Sequence, residues 1–180
     1  MQKKTIFLFI ILIFLFGCAK DELDKTLESL AGDRTISDKE VLSTATKKIF
    51  LDYGGNYSYE IKKYNADYTI NIEHRLDYPK MVTNEELDSY RDYIFNEAAK
   101  IIRYYFEHFK DRKLYEVDYL IKQQVVRKGK QKVIDICKVK ASIDMMKDLP
   151  KNNIKEAIDY IKRNWSVEID SFNELDKLVN

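Results

Sequence analysis

An α+β fold, an antiparallel sheet of two hairpins with helices packed mainly on one face, follows from three features of this 180-residue sequence. Apolar residues recur at steps of two in two pairs of short stretches, the spacing of half-buried strands. Around these lie segments with apolar residues at steps of three and four, the spacing of amphipathic helices. Helix starts are marked by Ser, Thr or Asn followed three residues later by Glu, a pairing that satisfies two otherwise orphaned backbone amides. Such boxes occur at Ser37 with Glu40, Thr83 with Glu86, Asn153 with Glu156 and Ser171 with Glu174.

Taken in order, the first predicted helix runs from Ser37 to about Tyr53, with Val41, Leu42, Ala45 and Ile49 on one side, and stops at Gly54-Gly55. Tyr57, Tyr59 and Ile61 then alternate with polar residues, and Tyr68, Ile70, Ile72, His74 and Leu76 repeat the pattern after Tyr64-Asn65-Ala66-Asp67. A hairpin over that loop places Ile61 opposite Ile70, Tyr59 opposite Ile72 and Tyr57 opposite His74. A long helix from Thr83 to about Lys110 carries Leu87, Tyr90, Ile94, Ala98, Ile101, Tyr105 and Phe109. Phe95, Ile102 and Phe106 widen its apolar arc, so it is expected between the sheet and another element. The second hairpin has Tyr115, Val117, Tyr119, Ile121 and Val125 facing Val133, Cys137, Val139, Ala141 and Ile143 across a Lys128-Gly129-Lys130 loop. That register pairs Val125 with Val133, Ile121 with Cys137, Tyr119 with Val139 and Val117 with Ala141, and leaves Gln123 opposite Asp135 on the inward side. Pro79 and Pro150 end the two hairpins. A third helix carries Ile154, Ala157, Ile158, Ile161 and Trp165, followed by a short strand in Ser166 to Asp170 and a last helix with Phe172, Leu175 and Leu178. The alternative is a ferredoxin-like βαββαβ unit from residue 67, which conflicts with the first hairpin because both edges of its first strand would be taken.

The N-terminus follows a different grammar. After Lys3-Lys4 the chain runs from Ile6 to Phe16 without a charge, then reaches Gly17-Cys18 and the polar Lys20-Asp21-Glu22. A basic patch followed by a short apolar run is the pattern of an export signal, and the run is well below the roughly 20 residues of a spanning helix. Its end, Leu15-Phe16-Gly17-Cys18, resembles the lipobox of bacterial lipoproteins, with Phe16 where that family has a small residue. The resemblance covers the signal only. It implies that residues 1–17 are a signal peptide, that Cys18 becomes the lipid-bearing N-terminus, and that the protein is anchored to a membrane, the outer one if the host has two, since Ala19 rather than aspartate follows. Residues 18–36, polar apart from Leu23, Leu27 and Leu30, are expected to form a tether with at most one helical turn that lifts the domain off the membrane. Residues 37–180 are expected to form one domain.

Composition bounds the function. Thirty-one basic against thirty acidic residues leave the chain near neutrality, against a nucleic-acid partner. With Cys18 acylated, Cys137 has no partner for a disulfide. His74 and His108 have no second ligand at metal spacing, so no metal site and no cofactor are expected. Cys137 points into the sheet as an inert thiol, and no Gly-x-Ser-x-Gly turn or phosphate-cradling loop is present, so no catalytic residue is assigned. Arg127-Lys128-Gly129-Lys130-Gln131-Lys132 forms a basic hairpin tip. Thirteen tyrosines are many for this length; a ring with a wet hydroxyl suits an interface, and a ligand groove is expected where Tyr57, Tyr59, Tyr68, Tyr115 and Tyr119 meet the long helix. The expectation is a lipid-anchored, non-catalytic binding module for an envelope protein or glycolipid. The alternatives are an envelope hydrolase or an inhibitor or immunity lipoprotein.

Overall fold

The computed structural model describes residues 22–53, 56–76, 84–127, 130–150 and 153–168. The signal and Cys18, both proline junctions in part and the segment from residue 169 onward lie outside the described residues. The elements in chain order are α1 (Glu22–Gly32), α2 (Asp38–Tyr53), β1 (Asn56–Tyr64), β2 (Asp67–Leu76), α3 (Asn84–Phe109), β3 (Leu114–Arg127), β4 (Lys130–Ser142), α4 (Ile143–Met146), α5 (Ile154–Asn164) and β5 (Ser166–Glu168). Two of the expected capping bonds are made, Glu40 N–H to Ser37 Oγ at 3.3 Å and Glu156 N–H to Asn153 Oδ1 at 3.2 Å.

The fold is α+β, with one five-stranded sheet in the order β1-β2-β3-β4-β5. Both expected hairpins form, and they meet along β2 and β3, which run parallel, so the sheet is mixed rather than antiparallel throughout. The parallel joint needs a crossover, and α3, 26 residues long, supplies it. The ferredoxin-like alternative is excluded, because β5 pairs with β4 and β2 already has β1 on its other edge.

The first hairpin has the expected register from Asn56–Arg75 to Tyr64–Asp67. Its turn is tighter than expected: Tyr64 and Asp67 pair, leaving Asn65 and Ala66 in the loop, with Asn65 at φ 53°, a left-handed conformation asparagine tolerates.

The second hairpin keeps the expected register from Val117–Ala141 to Ile121–Cys137 and then slips by one. A bulge at Ile136 makes Lys122 face Asp135, Gln123 face Ile134 and Val125 face Lys132, and only Lys128-Gly129 remain between the paired ends. The expected Val125–Val133 and inward Gln123–Asp135 pairs are therefore wrong. The reason is hydrophobic: Ile134 and Ile136 are out of phase with Cys137 and Val139, and one extra residue lets all four turn inward. Asp135 is left in water and Val133 is 41% exposed. Ile143, expected on β4, instead starts α4. A second irregularity sits between Tyr68 and Thr69, where β3 gains Tyr115; Leu114 is buried and Tyr115 stacks on Tyr64, 4.8 Å between ring centroids.

One sheet face meets the helices through Ile70, Ile72, Val117, Tyr119, Ile121, Cys137, Val139 and Ala141, all buried. The other face is wet and charged, tied across strands by Lys122–Glu73 at 2.9 Å, Lys138–Asp118 at 3.4 Å and Lys140–Glu116 at 3.5 Å.

The largest departure from the sequence reading is α1. The stretch assigned to a tether is an 11-residue helix whose Leu23 and Leu27 are in the core, packed on α2 and α3. Leu23, Leu27 and Leu30 did have helical spacing; the contrary signal was Asp24, a charge that proves to be buried.

Candidate functional site

Among the described residues, Phe50 of α2 packs against the strand tyrosines, stacked on Tyr57 at 4.7 Å and set 5.2 Å from His74 and 6.0 Å from Tyr119. Tyr59 shares a 2.8 Å hydrogen bond with Ser43 of α2, and Tyr105 of α3 donates to Thr46 at 3.0 Å. His74 Nδ1 and Tyr119 Oη are 2.7 Å apart, both residues buried. Burial drives the Tyr119 and Tyr105 hydroxyls well above the ordinary phenol range, so both remain neutral hydrogen-bonding groups. Of the five tyrosines singled out, Tyr119 is buried in the core, Tyr57, Tyr59 and Tyr68 are half-buried against it, and Tyr115 lies apart against Tyr64, which is 51% exposed. Gln123, inward and buried, accepts from Tyr90, whose pKa burial raises to about 12.

Cys137 is buried opposite Ile121 as expected, and desolvation lifts its thiol to about 12, far from a nucleophilic thiolate at neutral pH.

A cluster that the sequence reading did not find lies where α1 crosses the C-terminal half of α3. Asp24 is reached by Arg103 Nη2 at 3.2 Å and by His108 Nε2 at 2.8 Å, and Arg103 Nη1 holds Glu107 at 2.5 Å. Arg103 also lies 4.4 Å over the Tyr104 ring, and His108 stacks beside it. Burial works against the guanidinium charge, but Asp24 and Glu107 more than offset it and raise its pKa. One turn further on, Arg112 donates to the carbonyls of Ala31 (2.8 Å) and Asp33 and reaches Asp38 at 3.4 Å, so it caps the end of α1 and ties it to the start of α2. Arg103, Glu107 and His108 share a face of α3, but Asp24 joins Arg103 from 79 positions away and His108 from 84, a juxtaposition no local spacing announces.

Asp24, Glu107 and His108 have one ligand atom each within 4.8 Å of one another, a metal-like triad. The chemistry of the set argues otherwise. Arg103 already donates to both carboxylates, and a divalent ion there would have to share them with a fixed cation. What the cluster does is dock a helix.

No protein-family model matches the chain, and no curated protein or solved structure is significantly similar to it.

Proposed function

We propose that the chain is a lipid-anchored protein of the bacterial cell envelope, held by Cys18, whose folded part is a non-catalytic module that binds another envelope component, protein or glycolipid. The observation that carries this reading is Leu15-Phe16-Gly17-Cys18 at the end of a short apolar run. Two features of the domain support it. Its reactive side chains are engaged in packing, with Cys137 and His74 inside the core and His108 locked on Asp24. And α1 starts at Glu22, so four backbone steps separate Cys18 from a docked helix, a reach of at most about 14 Å. The anchor is then a short leash that keeps the domain against the headgroups, in place of the lifting tether expected from sequence. Among the described residues no helix is long and apolar enough to cross a membrane. Two or more acyl chains give stable anchoring without one.

Intact-mass spectrometry of the protein from bacterial membranes tests the anchor. The expected species begins at Cys18 with a diacylglycerol adduct, and Cys18→Ala accumulates as the uncleaved chain without label from tritiated palmitate. An intact Met1 on the native protein would overturn it. Cross-linking in intact cells tests the binding role, and a reproducible absence of cross-linked partners would count against it.

A further inference from the structure

We propose that β1 is a self-association edge: two copies of this chain pair their β1 strands antiparallel about a two-fold axis through Ile61, joining their sheets into one.

Among the described residues β1 ends the sheet and pairs only with β2. The parity of its backbone is fixed by the turn. A two-residue loop closes on a pair that exchanges both hydrogen bonds, here Tyr64 and Asp67, so the even-numbered residues of β1 spend their N–H and C=O groups on β2. The next residue in β2 confirms this phase: Tyr68 N–H turns the other way and donates to Lys113 on the β3 side at 2.7 Å. Tyr57, Tyr59, Ile61 and Lys63 therefore direct their backbone groups to the open edge. Natural edges are commonly blunted by a bulge, a proline or charged side chains, lysine above all. The nine residues of β1 run in unbroken register without bulge or proline, and Glu60, Lys62 and Lys63 are the charges a second copy has to match.

The side chains select the occupant. Antiparallel pairing of this edge with a copy of itself must match odd residues to odd ones, which allows an axis at any residue of β1, those nearest its middle overlapping most. An axis at Glu60 sets that carboxylate against its own copy, one at Lys62 does the same with two ammonium groups, and one at Tyr59 leaves Glu60 facing Ser58 with no charge pair. With the axis at Ile61, Glu60 faces Lys62 of the second copy in both directions, Ile61 meets Ile61, and the small Ser58 faces Tyr64. Glu60 and Lys62 can turn that way: both lie on the wet face, 64% and 57% exposed, and among the described residues they are linked to each other at 3.0 Å. The interface is isologous and closes at two copies. An axis relating antiparallel strands in one sheet stands normal to it, so both helix layers, with both α1 helices, lie on the same side. Two N-termini can then reach one membrane, although the pairing itself does not depend on the anchor.

Sedimentation of the full chain in detergent tests this, with circular dichroism as the folding control. The wild type is expected to dimerise. Glu60→Lys or Lys62→Glu alone turns two attractive cross-strand pairs repulsive and should raise the dimer dissociation constant by roughly 10- to 100-fold. The double reversal, Glu60→Lys with Lys62→Glu, should restore it to within about threefold of wild type. Lys63→Pro removes an N–H that the single copy does not use, so the fold should persist while the dimer is lost. A wild type that stays monomeric at all concentrations overturns the proposal. So does a dimer unmoved by both Lys63→Pro and the single reversals, or one that the double reversal fails to restore.

Discussion

Leu27→Ala separates a docked α1 from a tether. Leu27 is 0% exposed and sits in the core cluster with Leu23 and residues of α2 and α3. The substitution removes three carbons, about 2.4 kcal/mol at roughly 0.8 kcal/mol per buried methylene, and leaves a cavity between helices that relax only in part. A loss of about 3 kcal/mol is expected. Lys25→Ala, on the exposed side of the same helix, should stay within about 0.5 kcal/mol of wild type. Urea denaturation of the full chain in detergent, followed by circular dichroism, measures the first. If α1 detaches before the rest unfolds, the loss appears instead as amide exchange of Glu22–Gly32 accelerated on the order of 100-fold. A Leu27→Ala protein with an unchanged midpoint and unchanged α1 exchange would refute the docking and return residues 22–32 to the tether.

Asp24→Ala leaves Arg103 and His108 buried with one carboxylate fewer and should cost about 3 kcal/mol in the same denaturation assay, part of it recovered when Arg103→Met is added. Ile134→Asp should destabilise strongly while Val133→Asp is tolerated, because the bulge turns Ile134 inward (3% exposed) and Val133 out; the unbulged register requires the reverse, and paired melting curves decide. Cys137 and Tyr90 are raised from 9.0 and 10.0 to about 12 in the fold, so the unfolded chain releases these protons first. Stability should therefore hold below pH 9 and decline between pH 9 and 12, with tyrosinate absorbance at 295 nm rising together with the loss of ellipticity. Tyrosines that all titrate near 10 in the folded chain would contradict their burial.

The elements declared themselves in the sequence wherever the signal was local. Period-two alternation placed β1 and β2 in their true register, and the boxes at Ser37 and Asn153 marked real helix starts. What lay hidden was set by distant partners. The parallel joint of β2 and β3 depends on how two hairpins dock, which no local pattern carries. The bulge at Ile136 shows in the sequence only as Ile134 and Ile136 out of phase with Cys137. Helix α1 was masked because a buried Asp24 counts as polar until Arg103 is known to meet it. The tyrosines were recognised as unusual, but Phe50, which stacks on Tyr57, lies on another element and gave no hint.

The distance in sequence between the two sides of the α1 joint carries a consequence for the order of events. Eleven residues make a marginal helix in water, and the counter-charge for Asp24 arrives 79 positions later. A chain delivered head first therefore keeps its leading segment loose until most of α3 has followed. Closure of the ion pair then ends the interval, so the docking of the first helix is timed by the arrival of the long one.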